Sequence, residues 1–238
     1  MTYDALVISP HPDDAETQMG GTIAKLSDAG HRILVVDLTN GEPTEFAETG
    51  VRAGHAAEAA RILGFERINL GWQDRFLADD LPSRLEVARL IREYRPRWVY
   101  GIGEGSVHPD HAAAVGLTRA AVFLARLGQW DQVPGGDRLA GTEAWAVDRL
   151  FFPHCKMEPV WSEFAFAVDV SAVYDRKRAA LAAYRSIFKA EGDTLLSLYE
   201  AEDQYFGRLL GVPYAEIFRS ASPLIVQDPT LFGPGIQG

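Results

Sequence analysis

Continuous apolar runs recur four times in the first 128 residues, and each is followed by a helical stretch. The runs are ALVIS (5–9), RILVVDLT (32–39), RINLGW (67–72) and RWVYGIG (97–103). Between them, GTIAKLSDAG (21–30), VRAGHAAEAARILG (51–64) and LPSRLEVARLIREYRP (81–96) carry apolar residues at helical spacing, and HPDHAAAVGLTRAAVFLARLG (108–128) follows the last. A strand that is apolar throughout is covered on both faces, and parallel strands need crossover connections. The pattern predicts an α/β fold, a Rossmann-like three-layer sandwich with a mostly parallel central sheet and helices on both faces. In this reading the polar stretch before residue 21 is a turn.

The second half continues in kind. VDRLFFP (147–153) and EFAFAVDVS (163–171) read as strands, SAVYDRKRAALAAYRSIF (171–188) and LLSLYEAEDQYFGRLLG (195–211) as helices. Residues 129–147 read as an excursion loop, and the end as a strand followed by a Pro/Gly-rich tail. No composition break marks a boundary. At 238 residues and 47% hydrophobic content the chain suits one domain, 1–238, with 129–238 adding strands and helices to it. A net charge of -10 argues against nucleic-acid binding. Cys155 is the single cysteine, so no internal disulfide can form. No basic leader and no run of ~18 apolar residues is present, which predicts a cytoplasmic protein without a membrane partner.

Open α/β sheets bind ligands beyond the carboxyl ends of their strands. The segments there are SPHPDDAE (9–16), TNGEPTE (39–45), GWQDRF (71–76) and GEGSVHPDHAA (103–113), all dense in ionisable residues. Two of them share ingredients, His11-Pro12-Asp13-Asp14 and His108-Pro109-Asp110-His111. His nitrogen and Asp oxygen form a ligand set that suits zinc, and a catalytic site needs three protein ligands plus an open position. Two ligands from the first motif and one from the second would fill that set, and a leftover carboxylate can move protons. Alone, HPDD fits an Asx turn and HPDH fits a helix start capped by Asp110. Their pairing on one sheet end favours a metal site. Two His and a carboxylate also make the triad of non-haem iron oxygenases, usually on β-barrels, and a non-catalytic scaffold would more often hold its metal with Cys. His31, His55 and His154 lack such context, and MGGT (19–22) lacks the G-x-G-x-x-G spacing of a dinucleotide site. Trp72 and Phe76 beside Asp74 suit the core or a pocket wall.

A leading HPDD-x-E at the end of the first strand with a later HPDH resembles the LmbE/PIG-L family of zinc-dependent N-acetylglucosaminyl deacetylases. The resemblance runs through GGTIAKLSDAGHRILVVDLTNGE (20–42), EAARILG (58–64), NLGWQD (69–74) and AYRSIF with DQYFGRLLGVPYAEIF (183–218), where it looks most like the bacillithiol-biosynthesis branch. It implies His11, Asp14 and His111 as ligands of Zn²⁺, with Fe²⁺ a possible substitute. It implies Asp13 as general base, His108 as the protonated partner of the oxyanion or leaving amine, and Asp110 as the group that orients His108. Glu42, Arg52 and Asp74 match positions that hold the substrate's polar groups. The implied substrate is an amide-bearing sugar, N-acetylglucosaminyl-malate first, with chitin-type disaccharides, glycolipids and antibiotic sugars as alternatives. The implied assembly is a homo-oligomer, a hexamer. Ser106 and Val107, and the segment 153–161, depart from the family's pattern.

Overall fold

The computed structural model describes residues 2–43, 48, 50–132, 135–157, 164–188 and 192–225. Among the described residues seven strands form one sheet: β1 (Ala5–Ser9), β2 (Ile33–Thr39), β3 (Glu66–Trp72), β4 (Trp98–Tyr100), β5 (Arg149–Pro153), β6 (Phe166–Asp169) and β7 (Ala215–Ser220). Their order is β3-β2-β1-β4-β5-β7-β6. The pairs from β3 through β5 are parallel, and β7 runs antiparallel to both β5 and β6. β1 lies between β2 and β4, with Ala5 opposite both Ile33 and Trp98. The chain winds one way from β1 to β2 and β3, and the other way to β4 and β5. Ligands gather at the carboxyl end of such a switch point.

The helices are α1 (Asp14–Asp28), α2 (Val51–Leu63), α3 (Leu81–Tyr94), α4 (Pro109–Ala125), α5 (Tyr174–Ala183) and α6 (Gly192–Leu209). Ala5 and Val7 point to the face covered by α1, α2 and α5, while Leu6 and Ile8 point to the face covered by α3 and α4. All five residues of β1 are buried, as its unbroken apolar run requires. Each large aliphatic side chain sealed there contributes roughly 1.5–3 kcal/mol. Local signals set the helix ends. Asp80 accepts the Ser83 N–H at 2.9 Å at the start of α3, and Gly64, at φ 81°, closes α2. No helix among the described residues is long and apolar enough to cross a membrane.

The expected start of the first helix is corrected. α1 begins at Asp14, immediately after the HPDD turn, and the real break lies at Met19, whose φ of -146° is not helical. Residues 14–24 are all buried, polar ones included. The glycines of MGGT serve packing. A Cβ at Gly21 would lie 2.6 Å from Val170 Cβ, and one at Gly20 would press on Lys177 at 3.2 Å. β4 is also shorter than the expected strand 97–103. Residues 226–238 of the expected tail, with parts of the 40–50 and 153–161 segments, lie outside the described residues.

Against Gly20, Gly21 and Thr22 lies a buried ionic cluster. The Lys177 ammonium donates to Asp203 and Glu216, each at 2.7 Å, and all three side chains are fully buried. Lys156 and Tyr174 also donate to Asp203. Glu216 accepts the Gly21 N–H at 2.9 Å, the Thr22 N–H at 2.7 Å and the Thr22 hydroxyl at 2.6 Å. A carboxylate from the last strand thus caps the second half of the broken helix.

Candidate active site

The carboxyl ends of β1 and β4 bring the two His-Asp motifs together. Asp14 binds His11 Nδ1 at 3.1 Å through one oxygen and His111 Nε2 at 3.2 Å through the other. The ligand atoms of His11, Asp14 and His111 lie within 4.8 Å of one another. His11 Nε2 faces away from that point, toward Asp74 at 2.9 Å and Asp110 at 3.2 Å. A metal-ligating imidazole typically donates its second N–H to a carboxylate, which fixes its tautomer and raises its basicity. His11 has two such acceptors. His11, His108 and Asp110 also lie close enough to share an ion.

The electrostatics agree with a cation site. Burial disfavours charge on His11, but hydrogen bonds to Asp14 and Asp74 outweigh it and push the imidazole up to about 10. Burial also works against Asp14, yet His111 and His11 hold its carboxyl far below the usual range. A divalent ion at the shared point would take over the positive charge that these carboxylates favour. Two imidazoles and a carboxylate leave a fourth position open. The residues therefore fit a metal.

Asp13 sits between His11 and Asp14 in the motif at φ 111°, a conformation costing a non-glycine residue about 1–3 kcal/mol. Arg52 holds it there. The guanidinium donates to the Pro12 carbonyl from Nε at 3.0 Å and Nη2 at 2.7 Å, to Asp13 Oδ2 at 2.8 Å, and to the Gly41 carbonyl at 2.8 Å. Gly41, at φ 65°, has no room for a side chain, since a Cβ would meet Arg52 at 2.5 Å. Burial raises the Asp13 carboxyl, Arg52 opposes the rise, and the result is about 6.

The second motif differs from expectation. His108, not Asp110, caps α4, its Nδ1 accepting the Asp110 N–H at 3.2 Å. The Asp110 carboxylate has further partners. It accepts the Arg75 N–H at 2.7 Å and the Leu77 N–H at 3.2 Å, besides meeting His11. Asp110 does raise His108, but burial and the imidazoles of His11 and His111 outweigh it and push His108 below its ordinary value. That direction is opposite to the rise expected from Asp110 beside an imidazolium. With Nδ1 accepting, a neutral ring carries its proton on Nε2.

Of the residues expected to meet substrate, Asp74 touches His11 and Arg52 grips the Asp13 turn. Glu42 accepts the Gly50 N–H at 2.7 Å. Glu42 and Pro12 border a cavity of about 690 Å³ under α2, whose polar wall residues Asp37 and Arg67 pair with each other at 2.9 Å. Burial pushes the Asp37 carboxyl up to about 8 despite that arginine. Glu16 of the HPDD-x-E motif takes a structural place, gripped by Arg67 at 2.7 and 2.9 Å and by the Tyr184 hydroxyl at 2.8 Å. Sequence reading missed the backbone donors of Arg75 and Leu77, and Tyr199 of α6, whose phenol is raised by burial and by the charges of Asp13 and Asp14. None of these carries a local signature.

Residues 6–122 match the family described as PIG-L, GlcNAc-PI de-N-acetylase. The chain is 29% identical over 232 residues to a diacetylchitobiose deacetylase of Thermococcus kodakarensis, covering 90% of this chain and 81% of the relative. It is 32% identical over 224 residues to a 1D-myo-inositol 2-acetamido-2-deoxy-alpha-D-glucopyranoside deacetylase of Saccharomonospora viridis, covering 76% of this chain and 84% of the relative. A crystal structure of a conserved protein from Thermus thermophilus superposes with a TM-score of 0.86 at 38% identity, over 98% of this chain and 100% of the other. Sheet order, paired motifs and these likenesses agree: the chain belongs to the PIG-L (LmbE) family of deacetylases.

Proposed function

We propose that the protein is a zinc-dependent hydrolase that removes the N-acetyl group from an N-acetylglucosamine conjugate. The observation that carries this reading is the convergence of His11 Nδ1, Asp14 and His111 Nε2 beside a carboxylate, Asp13, that is not one of the three. His11, Asp14 and His111 would hold the ion, and Fe²⁺ suits the same donors. When bound there, zinc would supply Lewis acidity, to polarise an amide carbonyl and to lower the pKa of a water to about 7. Asp13 takes the proton of the attacking water. The Nε2–H of neutral His108 donates to the acyl oxygen as negative charge builds on it. Asp13 then returns its proton to the nitrogen as the C–N bond breaks, leaving acetate and a free amine. Asp110 and Asp74 orient His11, and Asp110 contributes its backbone N–H to His108.

Two conjugates satisfy this reading. The resemblance of residues 20–42, 58–64, 69–74 and 183–218 suggests N-acetylglucosaminyl-malate, and the Thermococcus relative suggests a disaccharide. Elemental analysis of the purified protein should find one equivalent of zinc or iron. Amine release from N-acetylglucosaminyl-malate, N,N'-diacetylchitobiose or N-acetylglucosamine should stop on chelation and return with metal. Metal-loaded protein that releases no amine from any of the three would defeat the proposal.

Arg52 gives a second test. Its guanidinium favours the carboxylate form of Asp13, so without it Asp13 keeps its proton to higher pH. Arg52→Ala should move the acidic limb of the pH–rate profile upward by about one pH unit, and Arg52→Lys by less. An unmoved limb would separate Arg52 from the charge on the base.

A further inference from the structure

Asp37, in the wall of the cavity under α2, is fully buried, and neither of its carboxyl oxygens accepts a hydrogen bond from any described residue. Arg67 approaches it through Nε at 2.9 Å, but the contact is not aligned as a hydrogen bond. The other donors of that guanidinium go elsewhere, Nη1 to Glu16, the Ala56 carbonyl and the Tyr184 hydroxyl, and Nη2 to Glu16. One cation thus serves two buried carboxylates. Glu16, Asp13 and Asp14 add their negative charge around Asp37, and with burial they hold its carboxyl at about 8 against Arg67. A buried polar group without a partner is costly and rare. The other polar groups of this wall are committed. Asn69 donates to the Thr39 carbonyl and accepts the Gly71 N–H, Asn40 accepts the Glu42 N–H, Glu42 accepts the Gly50 N–H, and Arg61 pairs with Glu58. Ala53, Ala56, Ala57 and Ala60 of α2, with Phe65 and Pro12, make the apolar part. An apolar cavity of about 690 Å³ around a few polar groups is the usual form of a small-molecule site. None of His11, Asp14 and His111 lines it.

We propose that this cavity is a ligand site separate from the metal centre and takes an organic ammonium, whose N–H groups donate to Asp37 while a compact apolar body lies along the alanines of α2. An ammonium supplies both things that Asp37 lacks, donors and positive charge. A carboxylate ligand would add to the surplus of negative charge, and a hydroxyl would bring one donor and no charge. A cation beside Asp37 favours its ionised form, so binding at pH 7 expels the proton that Asp37 otherwise keeps.

The test is calorimetric titration of the metal-loaded protein at pH 7 with benzylammonium, benzyl alcohol and benzoate, which share one apolar body and differ in charge. Benzylammonium should bind one to one and about tenfold more tightly than either of the others. Its heat of binding should differ between phosphate and Tris buffers, because the proton leaving Asp37 is taken up by the buffer. Asp37→Asn keeps the shape of the side chain, and should weaken binding about tenfold and remove the buffer dependence. Ala57 is exposed on α2 at the cavity wall, so Ala57→Leu fills the space without touching Asp37 and should weaken binding likewise. Benzylammonium that does not bind, binds no more tightly than benzyl alcohol, or binds without releasing a proton overturns the site. Binding that is indifferent to Ala57→Leu or to Asp37→Asn places the amine elsewhere and overturns it too.

Discussion

Asp13→Asn should lower turnover about 10³-fold while the protein keeps its fold and its metal. Asparagine is nearly isosteric with aspartate and, like it, tolerates positive φ, so the strained turn at 111° survives. Its amide oxygen still accepts from Arg52. The three groups proposed to hold the ion are untouched. What is lost is the ability to take a proton from water, which a positioned base typically makes worth 10²–10⁴ in rate. Elemental analysis run beside the kinetics separates a lost base from a lost metal. Turnover within tenfold of wild type in metal-loaded Asp13→Asn would place the base elsewhere.

Lys177→Met should cost about 3–5 kcal/mol of folding stability, the range for removing one partner from a buried ion cluster. Burial works against the ammonium, but Asp203 and Glu216 more than offset it and raise Lys177 above its ordinary value. Without it, Asp203 still has Lys156 and Tyr174, while Glu216 keeps only the neutral donors of Gly21 and Thr22. Glu216 therefore bears most of the uncompensated charge. Urea unfolding followed by circular dichroism measures the loss, and a midpoint equal to wild type would show that the cluster contributes nothing net. The melting temperature should drop by roughly 10 °C in a chain of this size.

The parallel half of the fold was legible because buried strands are written as unbroken apolar runs, β1 and β2 most plainly. The two His-Asp motifs were legible because ligand types at strand ends stand out against those runs. The start of α1 was not. Asp14, Glu16, Thr17 and Gln18 look like an exposed turn, and they are buried because distant residues satisfy them. Glu16 meets Arg67, and Gln18 accepts the Gly103 N–H at 2.6 Å. A local window cannot contain such partners. The orientation of Asp110 was hidden for a related reason. Its carboxylate is held by backbone N–H groups, which leave no trace in residue identity. Tyr199 and the Lys177 cluster likewise depend on how α5, α6 and β7 pack on α1, and helical periodicity does not report that.

The cap that Glu216 places on the second half of α1 bears on how the protein is made. A ribosome delivers Asp14 early and Glu216 near the end, separated by roughly 10–40 s at ordinary elongation rates. Until β7 emerges, the helix that presents the first motif has open N–H groups at Gly21 and Thr22, and Lys177 of α5 lacks one of its two counterions. The nascent chain therefore carries the HPDD motif for most of its synthesis before the helix behind it is locked in place. Locking of the helix behind the first motif is set, in time, by β7 rather than by β1.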